Sequence, residues 1–285
     1  MASTTVAPTR WNHATEEFLI FMRDERNASG NTISAYHNDL TQLGEYFAMQ
    51  GKSSLADITA QDLQTFVSHL KDDGVSNATL ARRVSCIRTF FDFTENLGLT
   101  PTNPAEDLTG PIVVHKEVEA LSDDQAEALL AACRSKRFMP KRDSAMIRLA
   151  VRLGLNSSEI VGLRLDDFDE IDGTLVVTHR GKSRVITLPE DCTQDILSYV
   201  GFERYSIQGS RRSPFIFLGQ KGEVMCRQAL WIIIRDCANK VGITTCSPRL
   251  LRNTAAKRML RDGVPEDRVR QTLGLSESNK LKHFR

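Results

Sequence analysis

Four successive stretches in the first hundred residues repeat apolar side chains at intervals of three and four, the signature of amphipathic helices. Residues 15–26 place Phe18, Leu19, Phe21 and Met22 on one side, and residues 32–49 do the same with Ile33, Tyr36, Leu40, Leu43, Tyr46 and Phe47. Residues 58–71 begin beside Thr59, a good N-cap, and gather Leu63, Phe66, Val67 and Leu70. Residues 77–97 carry Leu80, Val84, Ile87, Phe90, Phe91 and Phe93 and end at Gly98. Short polar connections between four such helices predict a compact bundle.

The pattern then breaks. Pro101, Pro104 and Pro111 interrupt helix, and residues 112–117 read as an extended strap. The expected division is a helical domain over 1–108, a linker over 109–118 and a second domain over 119–285. The second domain opens at Ser122 with Gln125 three residues later, a capping-box spacing. Residues 146–153 predict another apolar helix. Residues 173–177 and 185–188 flank the polar turn 179–184 as a β-hairpin would, and residues 214–218 suggest a third strand. Helices are expected over 227–239, 249–261 and 266–273.

Charge sorts the two halves. Residues 1–118 hold 9 Lys/Arg against 15 Asp/Glu, whereas 119–285 hold 28 against 21, so a net charge of +1 conceals an acidic front and a basic back. A grip on nucleic acid, if present, belongs to the second half. The six cysteines are scattered without C-x-x-C spacing, which predicts buried free thiols in a reducing cytoplasm and no metal site. No apolar run reaches transmembrane length, and residues 1–11 lack the charged and apolar regions of a signal peptide.

Several motifs then fall in a recognisable order. Asn31–Thr32, Tyr36 and Asp39–Leu40 fit an N-T…Y…D-L signature; residues 78–85 with Phe90–Phe91 fit the helix that closes such a domain; Asn103–Pro104–Ala105 and Leu121–Ser122 fit its junction. Near the end, Arg249 and Arg252 stand at a His-x-x-Arg pair, Leu273–Gly274–Leu275 at a Leu-Gly-His/Trp tripeptide, and Phe284 nine residues after the last of these. Over nearly its whole length the chain resembles the tyrosine recombinase (phage integrase, Xer-like) family. The resemblance implies a mainly α protein with a small β component. A four-helix, SAM-like core-binding domain and an α/β catalytic-type domain would close as a clamp on double-stranded DNA. No cofactor, metal or small-molecule substrate is implied, nor a membrane. The location would be cytoplasmic, nucleoid-associated in a prokaryote.

Family chemistry is a transesterification in which a tyrosine phenolate attacks a DNA phosphate, forms a 3′-phosphotyrosyl bond and releases a 5′-hydroxyl. Two arginines neutralise the phosphate oxygens, a lysine donates a proton and a histidine manages the proton of the nucleophile. This chain departs from the pattern at most of those positions. Gly154–Leu155–Asn156–Ser157–Ser158–Glu159 replaces the family's Gly-Leu-Arg-x-x-Glu, so the first arginine is Asn156. The hairpin lysine falls at Lys182, in a turn shorter than the family's. Arg252 keeps the second arginine, Arg249 replaces the histidine, Leu275 the second histidine or tryptophan, and Phe284 the tyrosine.

Phenylalanine has no oxygen with which to attack, and the four tyrosines, Tyr36, Tyr46, Tyr199 and Tyr205, all lie far upstream. Asparagine offers neither charge nor a bidentate fork, a change worth on the order of 10²–10³ in rate. Arg249 is cationic at neutral pH and cannot act as a base. What survives suits binding: Arg180, Lys182, Arg249 and Arg252 in the second domain, and Arg82, Arg83 and Arg88 on the fourth helix, where the family meets DNA. Residues 249–285 carry ten Lys/Arg and four Asp/Glu. The chain ends one residue after Phe284, whereas family members continue into a helix that packs on a neighbouring subunit, so a short or missing tail is expected. The leading expectation is a pseudoenzyme that binds DNA as an accessory, regulatory or architectural factor. Two alternatives stand beside it: a site-specific recombinase or integrase whose full-length or unmutated form is active, and a protein-interaction partner of an active recombinase or of a second copy.

Overall fold

The computed structural model describes residues 10–52, 54–112, 118–135, 138–179, 181–275 and 281–284. The chain divides into two compact units, residues 1–115 and residues 116–285.

The first unit is the expected helical bundle: α1 (Arg10–Asp24), α2 (Gly30–Met49), α3 (Ala60–Asp72) and α4 (Asn77–Asn96). Helix α1 starts earlier than the apolar repeat suggests, because Trp11 and Ala14 are also buried and the Trp11 indole N–H donates to the Leu40 carbonyl at 3.1 Å. Gly44 makes room for that indole, since a Cβ there would lie 2.5 Å from its nitrogen. Sequence-local caps set the helix starts. Ser29 and Ser76 each accept a backbone N–H three residues on, and Thr59 and Asp62 form a reciprocal capping box. Inside, Phe18 sits edge-on to Phe90 at 5.4 Å, amid Leu40, Leu43, Phe47, Leu63 and Phe91.

The second unit packs helices around a three-stranded sheet. In order these are α5 (Asp123–Arg134), α6 (Pro140–Leu153), α7 (Ser157–Gly162), β1 (Phe168–Asp169), β2 (Thr174–His179), β3 (Lys182–Thr187), α8 (Glu190–Ser198), α9 (Arg227–Lys240), α10 (Pro248–Arg261) and α11 (Glu266–Leu273). The sheet is antiparallel in the order β1-β2-β3, with Val176 opposite Val185 and His179 opposite Lys182. The hairpin strands are longer than predicted and the turn is only two residues. The third strand is β1; residues 214–218 contribute isolated bridges, Arg164 to Phe215 and Leu218 to Val224, instead of the expected strand. Five cysteines are buried free thiols as expected, but Cys226 is exposed and caps α9. No helix among the described residues is long and apolar enough to cross a membrane, and no group of them has the makings of a metal site.

Helix α6 runs through the middle of the unit and is buried on almost every side, including Arg142, Asp143, Ser144 and Arg148. Each buried charge has a partner. Arg148 donates to Asp191 and to Asp195, both at 2.6 Å, and Arg152 reaches Asp191 at 3.0 Å, which ties α6 to α8. Burial alone would push the Asp191 carboxyl up, but the Arg148 and Arg152 guanidiniums outweigh it and hold that carboxyl below its ordinary value. The folded-state pKa therefore lies beneath that of the unfolded chain. The resulting stability is present in full above about pH 4 and fades as pH falls through the folded value. Thermal unfolding followed across acid pH should show this loss, and Asp191→Asn should lower the midpoint at neutral pH while making the acid limb shallower.

Candidate functional site

A tight turn between α6 and α7 begins the site. Gly154 ends α6 with φ +66°, and a Cβ there would meet Leu273 at 2.4 Å and the Arg252 Cγ at 3.4 Å. The glycine is thus required by backbone conformation and by the close approach of α10 and α11. Asn156 follows in extended conformation and caps α7: its Oδ1 accepts the Glu159 N–H at 3.0 Å, while Glu159 accepts the Asn156 N–H at 2.8 Å. Asn156, expected from the sequence at the family's first arginine position, is therefore a helix cap.

Glu159 is only 2% exposed. Its Oε1 accepts a hydrogen bond from Arg184 Nη1 at 2.7 Å, and its Oε2 lies 3.9 Å from Arg252 Nη1. Arg252 donates from Nη1 to the Gly154 carbonyl and from Nη2 to the Leu273 carbonyl, so α10 clasps both the α6–α7 turn and the end of α11. A guanidinium has five N–H donors, so this anchoring leaves others for a ligand, and the side chain keeps 22% of its surface exposed. Burial pulls the Arg252 pKa below its ordinary value; Glu159 opposes that shift and Arg184 reinforces it. The group remains cationic near neutrality.

Arg249 lies one turn before Arg252 on the same side of α10, exposed, with no hydrogen bond or ion pair among the described residues. Lys182, at the hairpin tip, shares with Arg184 and buried Ile186 the inward face of β3 and is itself exposed. Arg180 lies outside the described residues. The structure thus joins Asn156 and Arg252 directly around Glu159. It sets Lys182 on the strand face that feeds this cluster, and Arg249 on the neighbouring turn of α10.

Phe284 is elsewhere. Residues 254, 257, 258 and 261 form a stripe of α10 opposite Arg249 and Arg252, and Phe284 lines, with that stripe, a cavity of about 680 Å³. It packs with Leu275 against a small apolar cluster of Ala256, Val269, Leu273 and Leu281. In the first unit, Arg82 binds the buried Asp39 through both Nη groups and Arg83 stands 3.4 Å from the same carboxylate, whereas Arg88 is exposed. Two of the three α4 arginines thus serve an ion pair within the bundle.

Arg184 and Glu159 were not among the residues singled out from the sequence as site residues. The signal for Arg184 was its alternation with Ile186 on a strand, which directs it inward; a shorter assumed strand hid that register.

Two family patterns match the chain: the phage integrase family over residues 119–285, and the phage integrase N-terminal SAM-like domain over 15–96. A tyrosine recombinase XerC from Roseiflexus sp. (strain RS-1) is 30% identical over 267 residues, covering 92% of this chain and 85% of that protein. A tyrosine recombinase XerD from Oceanobacillus iheyensis is 31% identical over 266 residues, covering 92% and 89%. Among solved structures, a XerH site-specific recombinase bound to a palindromic difH substrate superposes with a TM-score of 0.77 at 20% identity, over 95% of this chain and 80% of that one. A lambda integrase tetramer bound to a Holliday junction gives 0.72 at 16%, over 96% and 76%. These last two likenesses are of fold.

The cap at 156 is directly measurable. Asn156→Ala should destabilise the protein by about 1 kcal/mol in denaturant unfolding, and Asn156→Ser, which keeps a capping oxygen, should recover most of that.

Proposed function

The chain belongs to the phage integrase family of tyrosine recombinases, and from that membership we propose that it binds double-stranded DNA without cutting it. Its role would be that of an accessory, regulatory or architectural factor. One observation carries the reading: the position of the family's nucleophile is Phe284, whose ring bears no hydroxyl and packs against Leu281 and Leu273.

Other tyrosines do not compensate. Tyr36 and Tyr46 belong to the first unit. Tyr199 is fully buried, its hydroxyl accepts the Leu218 N–H at 3.2 Å, and burial pushes its phenol above the ordinary value. Tyr205 is exposed, far from Arg252 in sequence, and its ring faces Arg211. The phosphate-stabilising machinery is reduced as well. Asn156 brings no charge and has its oxygen committed to α7, and Arg249 cannot take a proton from a nucleophile at neutral pH. Arg252, Arg249 and Lys182 still supply cations on neighbouring elements, and cations suffice for holding a DNA backbone.

The test combines a salt series on duplex DNA with a suicide substrate that traps covalent adducts. Binding that weakens steeply with salt and leaves no adduct is expected, and Arg249→Gln should flatten the log–log slope by about one. Introducing a phenol with Phe284→Tyr should not restore cleavage, because the fork at 156 and the base at 249 are still absent. A covalent adduct with the unaltered protein would overturn the reading in favour of an active recombinase, as its relatives are named. No binding at low salt would favour a protein-interaction partner.

A further inference from the structure

Resting on the DNA-binding reading, we infer that Arg184 is the positioning residue of the phosphate site: it satisfies the buried Glu159 carboxylate so that the charge of Arg252 is left for a DNA phosphate. The geometry is a line of three charges. Glu159, buried to 2% exposure, lies between Arg184 at 2.7 Å and Arg252 at 3.9 Å. A carboxylate so far removed from water requires a cationic partner. The shorter, hydrogen-bonded contact is to Arg184, and the longer one to Arg252 is an ion pair without a hydrogen bond. One anion between two cations leaves a single positive charge, and it sits on the guanidinium that retains 22% exposure.

Arg184 is built into this place. Its Nε donates to the Thr272 carbonyl at 3.1 Å, and its side chain is 13% exposed. Gly274 keeps the space open: φ is +64°, and a Cβ there would stand 2.7 Å from Arg184 Nη1. Nη2 is buried and has no hydrogen-bond partner, so this guanidinium is not fully saturated by the fold. Without Arg184, Arg252 would become the only guanidinium beside Glu159 and the cluster would carry no net charge. The phosphate site would then lose its attraction although Arg252 was still present.

Charge variants separate this role from mere packing. Duplex affinity of the full chain would be measured from about 50 to 200 mM salt for the unaltered protein, Arg184→Lys, Arg184→Gln, Glu159→Gln and the Arg184→Gln/Glu159→Gln pair. Arg184→Gln should weaken binding at low salt by about tenfold and lower the salt slope by about one, the signature of one lost phosphate-neutralising charge. Arg184→Lys should keep the slope. The double variant, which removes the anion along with its partner, should regain it. A structural role alone predicts instead that the double variant binds no better than Arg184→Gln.

Should Arg184→Gln fail to fold by circular dichroism, Glu159→Gln carries the decision. It retains Arg184, removes the anion, and should raise the slope above that of the unaltered protein; an unchanged slope would overturn the inference. If the unaltered protein binds DNA and neither Arg184→Gln nor Glu159→Gln moves the slope, the inference alone is wrong. If the unaltered protein does not bind, the DNA-binding reading and this inference fall together.

Discussion

The buried carboxylate of Glu159 is the point on which the second unit's site depends. It closes the cap of α7, receives β3 through Arg184 and faces α10 through Arg252, while those two arginines hold the carbonyls of Thr272, Leu273 and Gly154. Four elements far apart in sequence are thus referred to one anion. Such an arrangement is costly to break from any side, because removing one partner of a buried ion pair leaves an uncompensated charge worth about 3–5 kcal/mol. Positional accuracy at the site is therefore tied to the stability of the fold.

If strand cleavage has been lost, as proposed, that coupling explains how the scaffold of the domain persists. None of the anchoring bonds uses position 284, 275 or 249. Phe284 and Leu275 add apolar contact to the cluster behind α10, Arg249 stays in solvent, and Asn156 caps α7. Positions 284, 275 and 249 fall outside the Glu159 network, and at 156 the Glu159 carboxylate itself takes the main-chain N–H while the side chain caps α7. On the proposed reading, a phosphate-binding surface remains where an in-line displacement, which needs an oxygen nucleophile and a fork on the transition state, does not.

Much of this was legible in the residues and some was not, for definite reasons. The four front helices announce themselves because each buries one face, and a buried face leaves a period in the sequence. Helix α6 announces itself only over residues 146–153, since its first turns bury Arg142, Asp143 and Ser144, polar residues that pattern reading assigns to solvent. The strand β1 spans two residues and leaves no alternation to detect. At the site, Asn156 and Arg252 were singled out by their spacing from neighbouring motifs, and the structure brings them together around Glu159. Arg184 was not, because its importance comes from Glu159 and Thr272, 25 and 88 residues away in the chain.

The same distance problem limits what net charge can say about a nucleic-acid interface. The second half of the chain is basic by count, yet Arg134, Arg148, Arg152, Arg184, Arg258 and Arg261 are engaged with carboxylates of their own unit. Arg204 is buried against the carbonyls of Ser213, Phe215 and Ile216. In the acidic front unit, Arg82 and Arg83 serve Asp39. A guanidinium held in this way contributes little to an approaching phosphate, because its field is largely cancelled at short range and screened beyond about 10 Å. Exposed cations without an internal anion among the described residues include Arg88 in the first unit and Lys182, Arg212, Arg227, Arg249 and Arg268 in the second, together with one whose anion is already satisfied by another, Arg252. On the proposed DNA-binding reading, a phosphate is met by such unpaired charges, and the overall balance of the chain has little bearing on it.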